Sequence, residues 1–599
     1  MEKETINIAQ SNFKESAHKL SNSPISPVKY TFEGFRKKRG EKSNSSKKAI
    51  ENKMRNIKKW FKNKDNLAFF CLIVFAIIIR LYYFWITKSQ ALWWDEADYL
   101  AYAKTLAGMG TTWIVSPQHN SLFPHIVALF FKLGFSEILI KFIIEIVPSV
   151  LLVFLTYKIC EKMYKNKNIA LISAFIMAVF WNILFNSMRF HLEAPALLFA
   201  FLAIYSFFVG YEKKEKIFGK INPNWAIPLA TVFTILSYAV RRGFFLFGIF
   251  FFVYMLLTRD VKELIKDKYN WIGIFVAGVM LFITERFIFI SNIGEVAGTY
   301  FTYNSITLVP FQVFSTYFSY GPAYKSPFFY LFYVGLFLII SELIMSIGYI
   351  RNSQKLRSDL FLFLMTAVTM GYFLFYQKTS TLGDPRWYFP LLLAAIIIIA
   401  KGSVFIYNQT KKYNKKIAII VVIALMILGG YYQLQHADEI IKVKIPSYGG
   451  IRSAGLKLNE VSNPGDIIIS GPVTQAAYYA ERAVVHFNDV ANRTSPTNFK
   501  ETLEHLEENS SIKYIVISFT EQGNPAWARN EAEEYARDAN GQIVRTKWEI
   551  PFMDTIINFQ TGEQRIIEAK TYGNITFKLV SVEEEVFIYE IIRKTEIYQ

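Results

Sequence analysis

The chain has 599 residues but only two cysteines and little charge for its length. Cys71 and Cys160 both fall in apolar runs, so a disulfide framework and a cysteine-rich zinc site are excluded. We find no glycine-rich phosphate loop, which disfavours a nucleotide-linked substrate. Only 19% of the residues are charged, whereas 52% are hydrophobic and 17% aromatic. This balance indicates burial in a membrane.

The net charge of +18 is unevenly distributed. Residues 1–64 carry 17 Lys+Arg against 6 Asp+Glu, whereas residues 433–599 carry 17 against 24. The first segment is polar and lacks an apolar run that could serve as a signal sequence. We therefore predict a disordered basic cytosolic tail over residues 1–65. Topology control or attraction to anionic lipid explains its charge better than binding to nucleic acid, and no nucleic-acid partner is predicted.

Apolar stretches about as long as a bilayer crossing requires follow the tail. We predict eleven spans, near residues 67–87, 137–160, 168–188, 191–210, 224–240, 243–258, 270–290, 327–350, 359–377, 387–401 and 417–434. Alternate loops are rich in Lys and Arg, and the positive-inside rule then places the N-terminus in the cytosol and the C-terminus outside. The predicted fold is a polytopic α-helical membrane domain over 66–434, in the cell membrane of a prokaryote.

Residues 435–599 have the composition of a soluble domain, with glycine and proline between short β-branched runs. We predict an extracytoplasmic α/β domain in which 467–469, 514–517, 575–580 and 586–592 are strands and 474–480 and 525–537 are helices. The domain shows no catalytic constellation.

The predicted outer loops hold few ionisable residues, and a charge near hydrocarbon is costly unless it has a partner or a function. Asp95 and Glu96 follow two tryptophans at the start of an amphipathic helix predicted over 97–106. The alternative interpretation is that Asp95 is a helix N-cap and the tryptophans form an interfacial belt.

Three further groups lie in these loops. Arg189, His191 and Glu193 separate two apolar runs, and a structural Arg189–Glu193 pair is the alternative to a functional role. Arg241 and Arg242 form a tight turn without an acidic neighbour in sequence. They favour an anion such as a lipid phosphate, although snorkelling to ordinary headgroups is equally consistent.

The last group is the segment Asp384-Pro385-Arg386-Trp387-Tyr388, which opens the tenth span. Together the four groups place acidic and basic side chains from different spans on one side of the membrane. Such an arrangement is what the transfer of a group from an anionic lipid requires.

This pattern resembles the GT-C superfamily of membrane glycosyltransferases, in particular the branch of protein O-mannosyltransferases and aminoarabinose transferases. The matching segments are Asp95-Glu96, His119-Asn120-Ser121-Leu122-Phe123-Pro124, Arg189…Glu193 and Arg386-Trp387-Tyr388…Pro390. The sequence departs from the family where Ser121 replaces the first usual proline and where Trp387 interrupts an Arg-Tyr dipeptide.

The resemblance implies an inverting glycosyltransferase that moves a sugar from a polyprenyl phosphate, dolichyl or undecaprenyl, to a protein, lipid or glycan acceptor outside the membrane. Asp95 is then the expected base, with Glu96 orienting hydroxyl groups and Glu193 completing the acidic cluster. The residues expected to bind the lipid phosphate are Arg386, Arg241, Arg242 and Arg189. The residues expected to line the pocket are Trp94, His119, His191 and Tyr388.

A metal is not expected to be required, but Asp95, Asp98 and Glu193 offer oxygen ligands for Mg²⁺ or Mn²⁺. Two alternatives are weighed. An oligosaccharyltransferase would carry its Trp-Trp-Asp motif in the C-terminal domain, whereas here the motif starts at Trp93 in the first outer loop. A transporter or flippase would favour inverted repeats, and the sequence shows none.

Overall fold

The structure is a computed structural model. It describes residues 55, 58–109, 120–289, 309–318, 325–375, 384–490, 498–519, 521, 523–529, 535–537, 543–545, 547–558 and 560–594. Phe69–Gln599 forms one compact unit.

Apolar helices dominate the described part of the chain up to residue 461. The α-helices are α1 (Lys64–Thr87), α2 (Trp94–Ala107), α3 (Leu122–Lys132), α4 (Glu137–Lys141), α5 (Val147–Tyr164), α6 (Lys167–Val179), α7 (Trp181–Asn186), α8 (Glu193–Ser206), α9 (Ala226–Val240), α10 (Leu246–Thr258), α11 (Val261–Lys266), α12 (Lys268–Ile283), α13 (Val309–Ser315), α14 (Pro327–Met345), α15 (Gln354–Leu374), α16 (Leu392–Lys411), α17 (Lys415–Lys444) and α18 (Gly449–Val461).

Short π-helical and 3₁₀ segments extend several of these helices. The π-helical segments are Phe142–Ile146, Phe207–Glu212 and Thr284–Ile288. The 3₁₀ segments are Pro223–Trp225, Arg242–Phe245, Ile347–Tyr349, Pro385–Leu391 and, in the C-terminal domain, Pro551–Met553.

Eight helical stretches among the described residues are long and apolar enough to cross a membrane, so the chain is a multi-pass membrane protein. They are Lys64–Thr87, Glu137–Tyr164, Glu193–Glu212, Pro223–Val240, Lys268–Ile288, Pro327–Met345, Pro385–Lys411 and Lys415–Val461. Each of the eleven predicted spans overlaps a helix. Three of the predicted spans are not among the eight stretches, because their helices are too short or not apolar enough. The span 168–188 is broken at Phe180, 243–258 gives a shorter helix, and 359–377 corresponds to the less apolar α15.

The helix α16 lies at the centre of the bundle, and its residues Leu392–Val404 are all buried. Two glycines allow α14 to pack closely against it. A Cβ atom added at Gly335 would overlap the carbonyl oxygen of Ile398, and one added at Gly402 would overlap that of Leu331. Small residues at such crossings let helix backbones approach within a membrane.

The C-terminal domain is built on a mixed six-stranded sheet, which confirms the predicted α/β class. Its strands run in the order β2 (Ala483–Val485), β1 (Ile467–Ser470), β3 (Ile512–Ser518), β11 (Val586–Arg593), β10 (Ile575–Glu583) and β9 (Ala569–Tyr572). β1 pairs in parallel with β2 and β3, and the remaining pairs are antiparallel. Both faces are covered, because Val516 packs in one apolar cluster and Ile515 in another.

Smaller elements complete this domain. They are α19 (Val473–Ala480), α20 (Phe487–Val490), α21 (Phe499–Glu508), β4 (Tyr535–Arg537), β5 (Ile543–Arg545), β6 (Lys547–Ile550), β7 (Thr555–Asn558) and β8 (Gln564–Arg565). The four predicted strands and the helix over 474–480 are confirmed. The helix predicted over 525–537 is wrong, because its described residues form turns and then the strand β4, which pairs with β5.

The C-terminal domain is anchored on the loop that follows α1. The helix α19 packs against α2. The Tyr479 hydroxyl accepts a hydrogen bond from the Leu92 backbone N–H at 2.8 Å. The Arg452 guanidinium donates to the Ser89 carbonyl at 2.5 Å. We call the end of the bundle that carries this domain the domain-side end, and the other the opposite end.

Candidate active site

Asp95 and Glu96 lie in the first turn of α2, and they point in different directions. Successive residues of a helix are rotated by about 100°, so adjacent side chains leave on different faces. The Asp95 side chain is 37% exposed and faces a cavity, whereas that of Glu96 is 1% exposed. Glu96 accepts a hydrogen bond from the Trp93 backbone N–H at 3.2 Å, at the N-cap of the helix. The N-cap position therefore belongs to Trp93 and not to Asp95.

Arg189 is paired with Glu96 inside the protein. Its Nη1 lies 3.3 Å from the Glu96 carboxylate, and its guanidinium carbon lies 3.3 Å above the Trp93 ring. The predicted alternative of an Arg189–Glu193 pair is wrong. Arg189 is buried and does not line either cavity that Asp95 borders, so the structure does not bring it to the other predicted phosphate ligands.

Glu193, the first residue of α8, holds two arginines from other helices. Arg241 donates a hydrogen bond to its carboxylate, and Arg386 Nη1 lies 3.8 Å from the same oxygen. Arg386 also lies 3.9 Å from Asp95 Oδ2, and its Nε donates to Asp384 at 2.7 Å. Four predicted site residues from separate helical segments therefore lie together, namely Asp95, Glu193, Arg241 and Arg386.

Arg242 follows Arg241 in the turn between α9 and α10. Its guanidinium carbon lies 4.0 Å above the ring of Phe289, which follows the π-helical end of the α12 span. A cation held over an aromatic face keeps a fixed orientation in an apolar setting. Arg242 and Arg241 border the same cavity.

His191 lies between these groups in a fully buried setting. Its Nδ1 is 2.8 Å from Asn186 Oδ1, and its backbone N–H donates to Glu145 at 3.1 Å. Burial lowers the pKa of the imidazole well below its ordinary value, and the nearby Arg386 lowers it further. This environment favours the neutral ring, whose Nδ1 has a hydrogen-bond partner in Asn186.

Glu145 and Asn186 were not predicted as site residues. Glu145 is an acid well inside the apolar stretch 137–160, and an ionisable residue at such a place is a recognisable signal of function. Asn186 carries no such signal, since a neutral amide at a helix end is common.

Two cavities meet at Asp95. The arginine cavity, of about 200 Å³, is lined by Asp95, Tyr99, Asn120, Ser121, His191, Leu192, Glu193, Val240, Arg241, Arg242, Gly243, Phe289, Arg386 and Trp387. The aromatic cavity, of about 230 Å³, is lined by Trp93, Trp94, Asp95, Trp181, Asn182, Phe185, Asn186, His191, Asp384, Pro385, Arg386 and Tyr448. Asp95, His191 and Arg386 border both, so two reactants in the two cavities would meet at the Asp95 carboxylate.

An apolar groove of about 630 Å³ lies between α9, α10 and α12. Its walls include Ile235, Phe252 and Ile274, and Tyr238 stands one turn before Arg241. The turn at Arg241 and Arg242 joins α9 to α10. One end of the groove is therefore adjacent to the arginine cavity.

Two of the remaining predicted residues, Tyr388 and Asp98, do not join the site. Tyr388 is fully buried in the bundle core beside Phe373, and it borders neither cavity. Asp98 is also fully buried. His119 lies outside the described residues. Among the residues that are described, no group of three or more His, Cys, Asp or Glu side chains is placed to hold a metal, so Asp95, Asp98 and Glu193 do not fit the metal site considered above.

Comparisons with known proteins bear on this arrangement. Residues 118–285 match the family model of dolichyl-phosphate-mannose-protein mannosyltransferases. The structure is similar to the Archaeoglobus fulgidus oligosaccharyltransferase in its apo form, with a TM-score of 0.56, 11% identity and coverage of 83% of this chain and 76% of that one. The same enzyme crystallised with Zn and sulfate gives a TM-score of 0.53 at 11% identity, covering 80% and 72%.

A further similar structure is ArnT from Cupriavidus metallidurans bound to undecaprenyl phosphate, with a TM-score of 0.47, 9% identity and coverage of 75% and 93%. No curated protein matches the chain. The family match and the oligosaccharyltransferase fold confirm the GT-C architecture that the sequence resemblance implied.

Proposed function

Since the chain is a GT-C membrane glycosyltransferase, we propose that it transfers a single sugar from a polyprenyl phosphate to an acceptor hydroxyl at the domain-side end. The observation that carries this proposal is the position of Asp95 in the wall between two cavities, one of which is lined by three arginines. The proposal keeps the predicted orientation, with the N-terminus in the cytosol of a prokaryotic cell. The domain limits predicted at 1–65, 66–434 and 435–599 remain part of it.

The arginine cavity has the charge to hold the lipid phosphate. Its three arginines and two carboxylates leave one positive charge over. A sugar linked to a polyprenyl phosphate is a phosphodiester with one negative charge, which this surplus neutralises. Guanidinium groups stay charged near lipid and offer paired donors to phosphate oxygens. The leaving monophosphate carries more negative charge than the diester, so the same donors stabilise departure more than ground-state binding.

The apolar groove supplies a place for the polyprenyl tail. Its wall helices α9 and α10 are joined by the turn that carries Arg241 and Arg242, so a lipid whose phosphate lies at these arginines has its tail at the groove. An isoprenoid chain lacks hydrogen-bonding groups, and burying it against such walls is favourable at about 25 cal/mol per Å².

The chemical step needs a base on the side opposite the leaving group. The acceptor O–H gives its proton to the Asp95 carboxylate, and its oxygen forms a bond to the anomeric carbon as the bond from that carbon to the phosphate oxygen breaks. The electron pair of the broken bond leaves with the polyprenyl phosphate. A single displacement inverts the anomeric configuration. Glu193 positions Arg241 and Arg386, and Glu96 fixes Arg189 and the start of α2.

The alternatives drawn from the sequence have less support. The glycosyltransferase family match argues against a transporter or flippase. Likeness to an oligosaccharyltransferase at 11% identity concerns the fold alone. An oligosaccharyltransferase would also carry a Trp-Trp-Asp motif in its C-terminal domain. The only tryptophans of this domain, Trp527 and Trp548, are not adjacent, and both pack against its apolar core.

The test is a transfer assay with the purified full-length protein. Undecaprenyl-phosphate sugars and dolichyl-phosphate sugars are offered with a mixture of protein, glycolipid and glycan acceptors, and the product is analysed by mass spectrometry and by NMR of the anomeric proton. We expect consumption of one lipid-linked donor and an inverted product. Consumption of a nucleotide sugar with every lipid-linked donor untouched would contradict the proposal. Comparing glycans and glycolipids of cells with and without the gene then identifies the sugar.

A further inference from the structure

The aromatic cavity has features that the donor does not require. We propose that it is an acceptor subsite which binds a sugar ring, so that the acceptor is a carbohydrate chain. This inference rests on the proposed function, because it names the acceptor class for the same Asp95.

Aromatic rings surround the cavity on several sides. Trp93, Trp94, Trp181, Phe185 and Tyr448 all border it. One face of a sugar ring presents C–H groups, which pack against aromatic surfaces, while the hydroxyls at its edge need polar partners. Trp94 is 37% exposed and free to offer such a surface. Its indole N–H is hydrogen-bonded to the Tyr448 hydroxyl, which fixes the orientation of the ring.

Buried polar groups in the same wall lack partners. Asn182 is 1% exposed, and its Nδ2 has no hydrogen-bond partner among the described residues. Its Oδ1 accepts from Asn186, so the amide orientation is set by that contact and leaves Nδ2 available. The Trp93 indole N–H is also buried without a described partner. A buried donor without a partner destabilises the folded protein, and a ligand hydroxyl would supply that partner.

The size and surroundings of the cavity favour a sugar over a peptide. Its volume of about 230 Å³ lies below the roughly 300–1,000 Å³ typical of drug-sized ligands, which suits a single ring. The lining residues come from helix ends and loops, and among those described none belongs to a strand edge. A peptide backbone there would lack the partners that strand pairing supplies.

The cavity adjoins a second space that residues of the C-terminal domain border. This space, a chamber of about 550 Å³, shares Trp93 and Tyr448 with the aromatic cavity and is also lined by Glu521 and Glu584 of that domain. Carboxylates are strong acceptors for hydroxyl groups. The next rings of a glycan would lie in this chamber, with the terminal ring in the aromatic cavity and its reacting hydroxyl at Asp95. The proton and electron pair then follow the course given above.

The first experiment measures binding by the full-length protein in detergent. An array of neutral di- and trisaccharides of hexoses and N-acetylhexosamines is compared with an array of Ser- and Thr-containing octapeptides, at up to millimolar concentration, and the strongest ligand is titrated by calorimetry. We expect at least one saccharide to bind and the peptides not to bind. Trp94→Ala should weaken saccharide binding about ten-fold, and Trp94→Phe should restore most of it. Trp85→Ala is the matched control, because Trp85 is 69% exposed and borders none of these cavities.

Binding of undecaprenyl phosphate is measured in parallel, as a probe of the donor site. It separates the proposal of a lipid-linked donor from the proposal of a carbohydrate acceptor. Peptide binding that depends on Trp94, with no saccharide bound, would overturn the carbohydrate assignment while the glycosyltransferase proposal stands. Absence of saccharide binding on the whole array would also overturn it. Failure of every lipid-linked donor in the transfer assay would instead overturn the donor proposal, whether or not a saccharide binds.

Discussion

The two ends of the helical bundle contain similar charged residues in different surroundings. At the domain-side end the side chains of Asp95 and Arg386 are 37% and 31% exposed and border cavities. At the opposite end the carboxylates of Asp359 and Glu212 are fully buried in ion pairs. Charge near the hydrocarbon therefore does not distinguish function from structure. Access from a cavity does distinguish a functional charge from a structural one, because a reactant must be able to reach the charged side chain.

The buried ion pairs at the opposite end connect helices. Asp359 of α15 accepts hydrogen bonds from Lys401 of α16 and Tyr164 of α5, each at 2.5 Å. Glu212 accepts from the Nε of Arg357 at 2.8 Å. Removing one partner of such a pair leaves a buried charge without compensation. Substitutions at the two ends should therefore affect different measurements.

The largest expected effect is on the rate of transfer. Asp95→Asn keeps the size of the side chain but removes its ability to accept the acceptor proton, so we expect the rate to fall by about 10²–10⁴-fold. The thermal unfolding midpoint should change little, since Asp95 faces a cavity. Turnover is measured with the lipid-linked donor identified above.

Asp260→Asn is the matched control for this prediction. Asp260 lies in the loop after α10 at the opposite end, where its side chain is 64% exposed. It should leave both rate and stability unchanged. Full turnover by folded Asp95→Asn would remove Asp95 as the base.

The second effect concerns stability at the opposite end. Asp359→Asn leaves Lys401 buried beside a neutral amide, and we expect a loss of about 3 kcal/mol in unfolding free energy. The transfer rate per folded molecule should be unchanged, because none of the cavities described above is bordered by Asp359. Unfolding is followed by heating the protein in detergent. A variant that keeps its stability but loses activity would show that the comparison between the two ends is wrong.

Much of the fold could be predicted from the sequence, because membrane burial imposes a strong local pattern. Each predicted span overlaps a helix, and short β-branched runs gave four of the six strands of the sheet. The prediction failed over 525–537, where local helical preference yielded to pairing of β4 with β5. The π-helical segment Phe142–Ile146, which carries Glu145, was also not predicted, since nothing local distinguishes it from the rest of its helix.

The third effect is on donor affinity. Arg386→Ala removes a charged donor from the arginine cavity, and we expect undecaprenyl phosphate to bind about 10- to 100-fold more weakly. Arg357→Ala is the control from the opposite end, where the side chain is paired with Glu212, and it should alter stability without altering affinity. Equal affinities in the parent protein and Arg386→Ala, measured by calorimetry, would contradict a phosphate-binding role.

Site residues were predictable as a set, but their pairing was not. The sequence pointed to Arg189 and Glu193 as neighbours, because only three residues separate them. The structure instead pairs Arg189 with Glu96, 93 positions away, and Glu193 with Arg241, 48 positions away. Such distant pairs are set by helix packing, which the order of charges along the chain does not encode.

The smallest expected effect is on the pH dependence of stability, and it concerns the carboxyl of Glu521 in the C-terminal domain. Burial raises the pKa of Glu521 from its ordinary value of 4.5 to about 7. Between these values the folded protein holds a proton that the unfolded chain releases. The stabilising contribution of Glu521 is therefore complete below pH 4.5 and is lost as the pH rises through 7. We expect the free energy of unfolding to fall by about 1 kcal/mol over this range, after allowance for solvent screening of a partly exposed group. Unfolding midpoints of the full chain from pH 4.5 to 8 measure this slope.

Glu521→Gln should flatten that dependence and make the protein more stable than its parent at pH 8. Asp554 provides a control of opposite sign, because its hydrogen bond to Lys570 lowers the pKa of the carboxyl below 3.8. Its contribution is therefore present above that pH and lost only in more acidic solution, so Asp554→Asn should leave the slope between pH 4.5 and 8 unchanged. Parallel slopes for Glu521→Gln and the parent would show that Glu521 is ionised throughout this range. The chamber that Glu521 borders would then carry one more negative charge, which strengthens hydrogen bonds to hydroxyl groups while opposing any anionic acceptor.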